Sequence, residues 1–178
     1  MKDISYYIRK YKIIPEEICK TSVKKLSKEN WQKHQWYDAV TKKYYSRETD
    51  LDMLYHSKVI DDLNPFTNNA VGLYLKEFED TILERTNIRF NRYKKNQEMH
   101  SHYDHIRDIF DGTRKGIPVL SILGFLNSDY EGGEFYLANE KINTKTGDIL
   151  IFPSCFLYPH EVKKVTKGTR YSFISWGY

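Results

Sequence analysis

The hydrophobic period of this chain changes once, near residue 87, and that change limits the possible fold more than any other feature. Before it, apolar residues recur at helical spacing. Cys19, Val23 and Leu26 are four and three positions apart, behind a Pro15 suited to a first helical turn. Glu16 and Glu17 favour the positive end of that helix. Val71, Leu75, Phe78 and Ile82 repeat the pattern behind Pro65 and Thr67, with Lys76, Glu77, Glu79 and Asp80 on the opposite side. The spacing predicts a second amphipathic helix, opening near Pro65 and running through Ile82. Residues 31–55 are mixed, with aromatic pieces of strand character and a loop-like stretch at 47–52.

From Asn87 onward the period is two. Ile88, Phe90 and Arg92 alternate with Arg89, Asn91 and Tyr93, so each set shares one face of a strand. Short β-rich runs follow at 119–126, 134–137, 149–152, 161–165 and 170–176, separated by Gly, Pro, Asp and Lys. Runs this short between turn signals predict an antiparallel sandwich or barrel. Helices first and strands after place the chain in the α+β class. The expected organisation is a single domain, 1–178. Residues 1–86 form a helical and mixed N-terminal support, and 87–178 form the β core.

Composition excludes several function classes. Aromatic residues make up 15% of the 178, too many for a disordered chain. The net charge of +4 is spread evenly, with 16 basic and 14 acidic residues in 1–89 and 12 against 10 in the remainder. There is no basic block of the kind that marks a dedicated nucleic-acid arm. Cys19 and Cys155 are far apart and make no disulfide framework, and Cys19 lies on the apolar stripe of the first helix. No apolar run is long enough to span a membrane, and Met-Lys-Asp-Ile-Ser does not open a signal peptide. A soluble, cytoplasmic protein is expected.

The densest cluster of possible metal ligands is Met99-His100-Ser101-His102-Tyr103-Asp104-His105. On a strand, His102 and Asp104 project from one face, where an imidazole and a carboxylate can grip one ion. His160 follows Pro159 at the start of another β run. Two histidines and a carboxylate form a facial triad that leaves coordination positions open. Spacing alone equally nominates His100 with His102 and Asp104, and it puts His105 on the other face. In the strand from Arg170, alternation sets Arg170, Ser172, Ile174 and Trp176 together on a largely apolar face. A lone guanidinium there needs an anion, and its planar fork suits a carboxylate. That strand contains no acidic residue, so a ligand carboxylate is the expected partner.

Taken in order, Tyr93, His102-Tyr103-Asp104, Tyr130-Glu131-Gly132-Gly133-Glu134-Phe135, Gly147-Asp148, Phe152, His160, Val162, Val165, Gly168-Thr169-Arg170-Tyr171 and Trp176 form a recognisable set. The set resembles the iron(II)/2-oxoglutarate-dependent dioxygenases, most closely their prolyl 4-hydroxylase branch, over roughly residues 87–178. The resemblance implies a double-stranded β-helix, a jelly-roll or cupin-like barrel backed by the N-terminal helices. It selects His102, Asp104 and His160 as catalytic Fe(II) ligands over His100 and His105. It also implies 2-oxoglutarate as cosubstrate, its far carboxylate on Arg170 with hydroxyls from Tyr93 and Ser172. Ascorbate is implied as an accompanying cofactor, and molecular oxygen as a reactant.

The implied reaction decarboxylates 2-oxoglutarate to succinate while hydroxylating proline in a peptide or protein. Relatives often carry Tyr where Phe125 stands and an aromatic residue where Met99 stands. Met99 and Trp176 are the expected substrate contacts. The alternatives are the same chemistry on another side chain, a free amino acid or a nucleobase, or a β-barrel binding module without turnover. Residues 47–57 and 108–116 have the composition of loops that close over a substrate.

Overall fold

The structure, a computed structural model, describes residues 3–38, 40–82, 84–104 and 117–178. His105 and the loop at 108–116 lie outside the described residues. In chain order the strands and helices are β1 (Arg9–Lys12), α1 (Glu16–Leu26), β2 (Gln32–Lys33), β3 (Trp36–Asp38), β4 (Lys43–Tyr45), β5 (Asp52–Leu54) and α2 (Val59–Phe78). Then come β6 (Arg89–Tyr93), β7 (Met99–His102), β8 (Leu120–Phe125), β9 (Glu131–Gly132), β10 (Phe135–Leu137) and β11 (Glu140–Ile142). The chain closes with β12 (Asp148–Pro153), β13 (His160–Val162), β14 (Val165–Lys167) and β15 (Arg170–Gly177). The change from helical to strand period at residue 87 thus matches the change from α2 to β6.

The strands pair antiparallel into a seven-stranded sheet, β1-β12-β8-β15-β6-β5-β2, and a four-stranded sheet, β11-β10-β13-β7. Two apolar clusters follow from the alternation along the larger sheet. One face meets the helices: Phe90, Ile122, Ile149, Ile151 and Phe173 pack with Cys19 and Leu26 of α1 and Leu63 and Val71 of α2. The other face meets the smaller sheet: Tyr93, Leu123, Phe125, Leu150 and Phe152 pack with Met99, Phe135, Leu137 and Val162. With both faces covered, β8 is buried along its whole length, which is why its sequence reads as one apolar run. Among the described residues, no helix is long and apolar enough to cross a membrane.

Two features depart from the expected boundaries. The second helix begins at Val59, six residues before Pro65, and ends at Phe78. Val59 and Leu63 are buried against the helix-side core, and Asp61 and Asp62 suit the helix's positive end, so its first turns persist despite the proline. At the other end Glu79 takes a left-handed conformation, φ 51°, and stops the helix. Ile82 therefore lies beyond the helix, although it still packs on the same cluster. The second departure is that residues 9–54 contribute β1, β2 and β5 to the seven-stranded sheet, so the N-terminal part extends the β structure as well as covering it.

Candidate metal centre and active site

Two strands and one short connection bring the ligand set together. β7 pairs with β13 so that His102 lies directly opposite His160, and Asp104 follows just beyond the end of β7. One ligand atom from each of His102, Asp104 and His160 lies within 4.8 Å of the other two. His102 Nε2 is 3.7 Å from Asp104 Oδ1, and His160 Nε2 is 3.8 Å from Asp104 Oδ2. The other ring nitrogens are occupied by backbone. His102 Nδ1 is 2.8 Å from the His100 carbonyl and His160 Nδ1 is 3.2 Å from that of Tyr158. A carbonyl can only accept, so Nδ1 carries the proton and the Nε2 lone pair faces Asp104. His100 serves the cluster through its carbonyl; its side chain is outside it.

Electrostatics favour a neutral His102 and an ionised Asp104. Burial pushes the His102 pKa below the usual imidazole range, and neighbouring His160 adds to the shift. Burial opposes ionisation of Asp104, but the imidazoles and hydrogen bonds from Ser121 and Trp176 outweigh it and hold the carboxyl below its usual range. Ser121 Oγ donates to Asp104 Oδ2 at 2.6 Å and is itself 2.8 Å from Ser154 Oγ. Around the histidines the walls are aromatic: Trp36, Phe135 and Phe152 lie 5.8, 5.9 and 5.2 Å from a His102 or His160 ring. Such walls exclude water and strengthen any charge interaction within.

Arg170 lies on the same inner face at the start of β15. It is only 1% exposed, and no acidic side chain is paired with it among the described residues. Its Nη1 donates to Ser172 Oγ at 2.8 Å, its guanidinium sits 4.9 Å over Tyr93 and 5.3 Å over Phe125, and its Nε has no partner. Gly133, in the left-handed region at φ 63°, lets the turn press against this side chain; a Cβ there would lie 3.2 Å from Arg170 Cδ.

Of the remaining expected residues, Tyr93 and Ser172 adjoin Arg170, and Trp176 touches the ligand cluster through Asp104. Met99 is buried in the inner core opposite Val162. Sequence reasoning passed over Ser121, which is hidden in the apolar run of β8, and Trp36, which lies in the weakly patterned segment. It also passed over Arg89 and Asn91, although their alternation with Tyr93 was visible. Two surface clefts, about 580 Å³ beside α1 and about 870 Å³ beside the start of α2, are lined by none of these residues.

With this geometry in hand, comparison with known proteins is specific. Residues 88–178, just over half of the chain, match the 2OG-Fe(II) oxygenase superfamily. A PKHD-type hydroxylase of Acinetobacter baumannii is 32% identical over 94 residues, covering 49% of this chain and 40% of the relative. The match thus spans less than half the length of that relative. A solved prolyl hydroxylase from Trichoplax adhaerens, in complex with a hypoxia inducible factor peptide fragment, superposes with a TM-score of 0.72 at 17% identity. That superposition covers 97% of this chain and 83% of the other. A Pseudomonas putida prolyl-4-hydroxylase superposes with a TM-score of 0.70 at 14% identity, over 96% of this chain and 91% of the other. At these identities the structural likeness is one of fold.

Proposed function

The chain belongs to the 2OG-Fe(II) oxygenase superfamily, whose members use iron(II) and 2-oxoglutarate, and from that premise we propose that it hydroxylates proline in a peptide or protein. Its two sheets are then the halves of a double-stranded β-helix, with 1–86 as the support and 87–178 as the core of one domain. The observation that carries the reading is the pairing, on one inner face, of a two-histidine, one-carboxylate cluster with a buried guanidinium that has no acidic partner among the described residues.

The residues fit the groups that the superfamily employs. His102, Asp104 and His160 would hold the iron, since two neutral imidazoles and a carboxylate suit a divalent ion and leave positions open. Arg170 would take the far carboxylate of 2-oxoglutarate, with Ser172 and Tyr93 alongside; an uncompensated guanidinium at 1% exposure fits that role better than a structural one. Iron and 2-oxoglutarate, when bound, supply the oxidising chemistry: oxygen is consumed, the cosubstrate loses carbon dioxide to become succinate, and a C–H bond becomes C–OH. The protein's part is orientation and exclusion. The His100 and Tyr158 carbonyls set the imidazole tautomers, and Ser121 and Trp176 fix the Asp104 carboxylate. Phe125, Phe135 and Phe152 keep the interior dry.

The test is succinate formation from 2-oxoglutarate with added Fe(II), with and without a proline-rich peptide. Wild type is expected to turn over and His160→Ala to be inactive. Mass spectrometry is expected to place one added oxygen atom on proline. Equal inactivity of wild type and variant would reject the enzymatic reading, and oxygen placed elsewhere would reject proline.

A further inference from the structure

Arg170 has a counterpart that the scheme above does not use. Arg89 and Asn91 sit on β6 on the same face as Tyr93, and across the sheet they oppose Ile174 and Ser172, so both point toward the inner core. The Arg89 guanidinium lies 5.0 Å over the ring of Trp176, the residue that hydrogen-bonds Asp104. Its charge is felt by both His102 and His34. Yet Arg89 joins none of the ion pairs among the described residues, its Nε is buried without a hydrogen-bond partner, and the buried Oδ1 of Asn91 lacks one too. Elsewhere the demand is met: Arg9 pairs with Glu77, Arg92 with Asp52, and Arg85 reaches Asn64, Asn68 and Ser175. Unpaired donors and acceptors buried together are costly unless a ligand completes them.

We propose that Arg89 and Asn91 form a second recognition seat beside the ligand cluster, which selects acceptor substrates bearing a carboxylate with a neighbouring N–H. The inference rests on the dioxygenase reading for its division of labour. In that reading Arg170 would take the far carboxylate of 2-oxoglutarate, so a further cation on this wall answers to the acceptor. The guanidinium fork receives the carboxylate, and the Asn91 carbonyl oxygen accepts the N–H. An acidic residue within a peptide and a free α-amino acid both present that pair, so the chemistry is shared and the source is a matter for experiment.

The probes are acetyl-Gly-Asp-Pro-Gly-amide against its Asn counterpart, and L-proline against L-prolinamide. The readout is the indole N–H resonance of Trp176, assigned with Trp176→Phe and followed in Zn(II)-loaded protein with and without saturating 2-oxoglutarate. One carboxylate probe is expected to shift that signal and to bind roughly 30-fold more tightly than its amide, the loss typical of removing one partner of a buried charge pair. Arg89→Leu is expected to erase the difference and Arg89→Lys to retain part of it, while calorimetry shows 2-oxoglutarate affinity little changed in both. If Arg89→Leu does not fold, Arg89→Gln takes its place.

Preference for the Asp peptide identifies a protein substrate, and preference for L-proline a free amino acid. Equal binding of acid and amide, or a loss of 2-oxoglutarate affinity in Arg89→Leu as large as in Arg170→Ala, overturns the proposal. Wild-type protein that binds no 2-oxoglutarate refutes the dioxygenase reading and, with it, the assignment of this carboxylate to the acceptor.

Discussion

Asp104 is held by more than its two imidazole neighbours, and those supports make separate predictions. Ser121→Ala deletes the 2.6 Å donor to Oδ2 without touching a ligand. Titration with Mn(II) is expected to show affinity reduced roughly 10- to 100-fold, as for other hydrogen-bonding partners of metal ligands. Unchanged affinity would remove Ser121 from that role. On the proposed assignment, Arg170→Ala is expected to weaken 2-oxoglutarate binding at least about 30-fold by calorimetry, because Arg170 would be the buried cation that receives the cosubstrate's far carboxylate. Arg170→Lys restores part of this, since it keeps the charge but loses the fork. The isolation of Arg170 was legible in the alternation of its strand. The role of Ser121 was not, because a small hydroxyl in an apolar run reads as core until the chain beyond β7 is seen to deliver a carboxylate to it.

Elements show where sequence pattern and packing part company. Pro65 carries the usual signal for a helix start, yet α2 runs through it, and the residue is exposed. Proline there removes one backbone hydrogen bond and strains the preceding turn. Pro65→Ala is therefore expected to stabilise the fold by about 1–2 kcal/mol in chemical denaturation; destabilisation would mean that the ring itself is needed. In the central strand β8, Gly124 lies opposite Phe173, whose ring occupies the space of the missing side chain, 2.0 Å from where a Cβ would stand. Gly124→Val is expected to cost about 1–3 kcal/mol or more through overpacking, again read from the denaturation midpoint. Strand character was legible in residues 31–55, but β1 and the bounds of β2 escaped sequence reading for a related reason. β2 is only two residues long, and β1 is an edge strand of alternating exposed and half-buried residues, so neither carries an apolar signature.

At the scale of the molecule, the N-terminal segment is tied to the candidate site, and His34 reports that tie through pH. It is 7% exposed, and its pKa is lowered from 6.5 to about 4, first by burial and then by the Arg89 charge, against a smaller opposing effect from Asp50. The unfolded chain thus binds the extra proton between those two values. His34's contribution is complete above about pH 6.5 and is lost as the pH falls toward 4, on the order of 3 kcal/mol in all. Urea midpoints followed across that window are expected to fall less steeply for His34→Gln than for wild type; parallel curves would show His34 to be indifferent. By itself, the sequence determined the α+β class, the inner and outer faces of β6 and β15, and a short set of metal-ligand candidates, because periodicity and side-chain chemistry are local properties. Only the tertiary structure decided that His160 stands opposite His102, that Asp104 meets Ser121 and Trp176, and that Arg89 shares their wall with no acidic partner among the described residues. Those are matters of strand register and sheet packing, set by contacts between residues far apart in the chain, which no local pattern encodes.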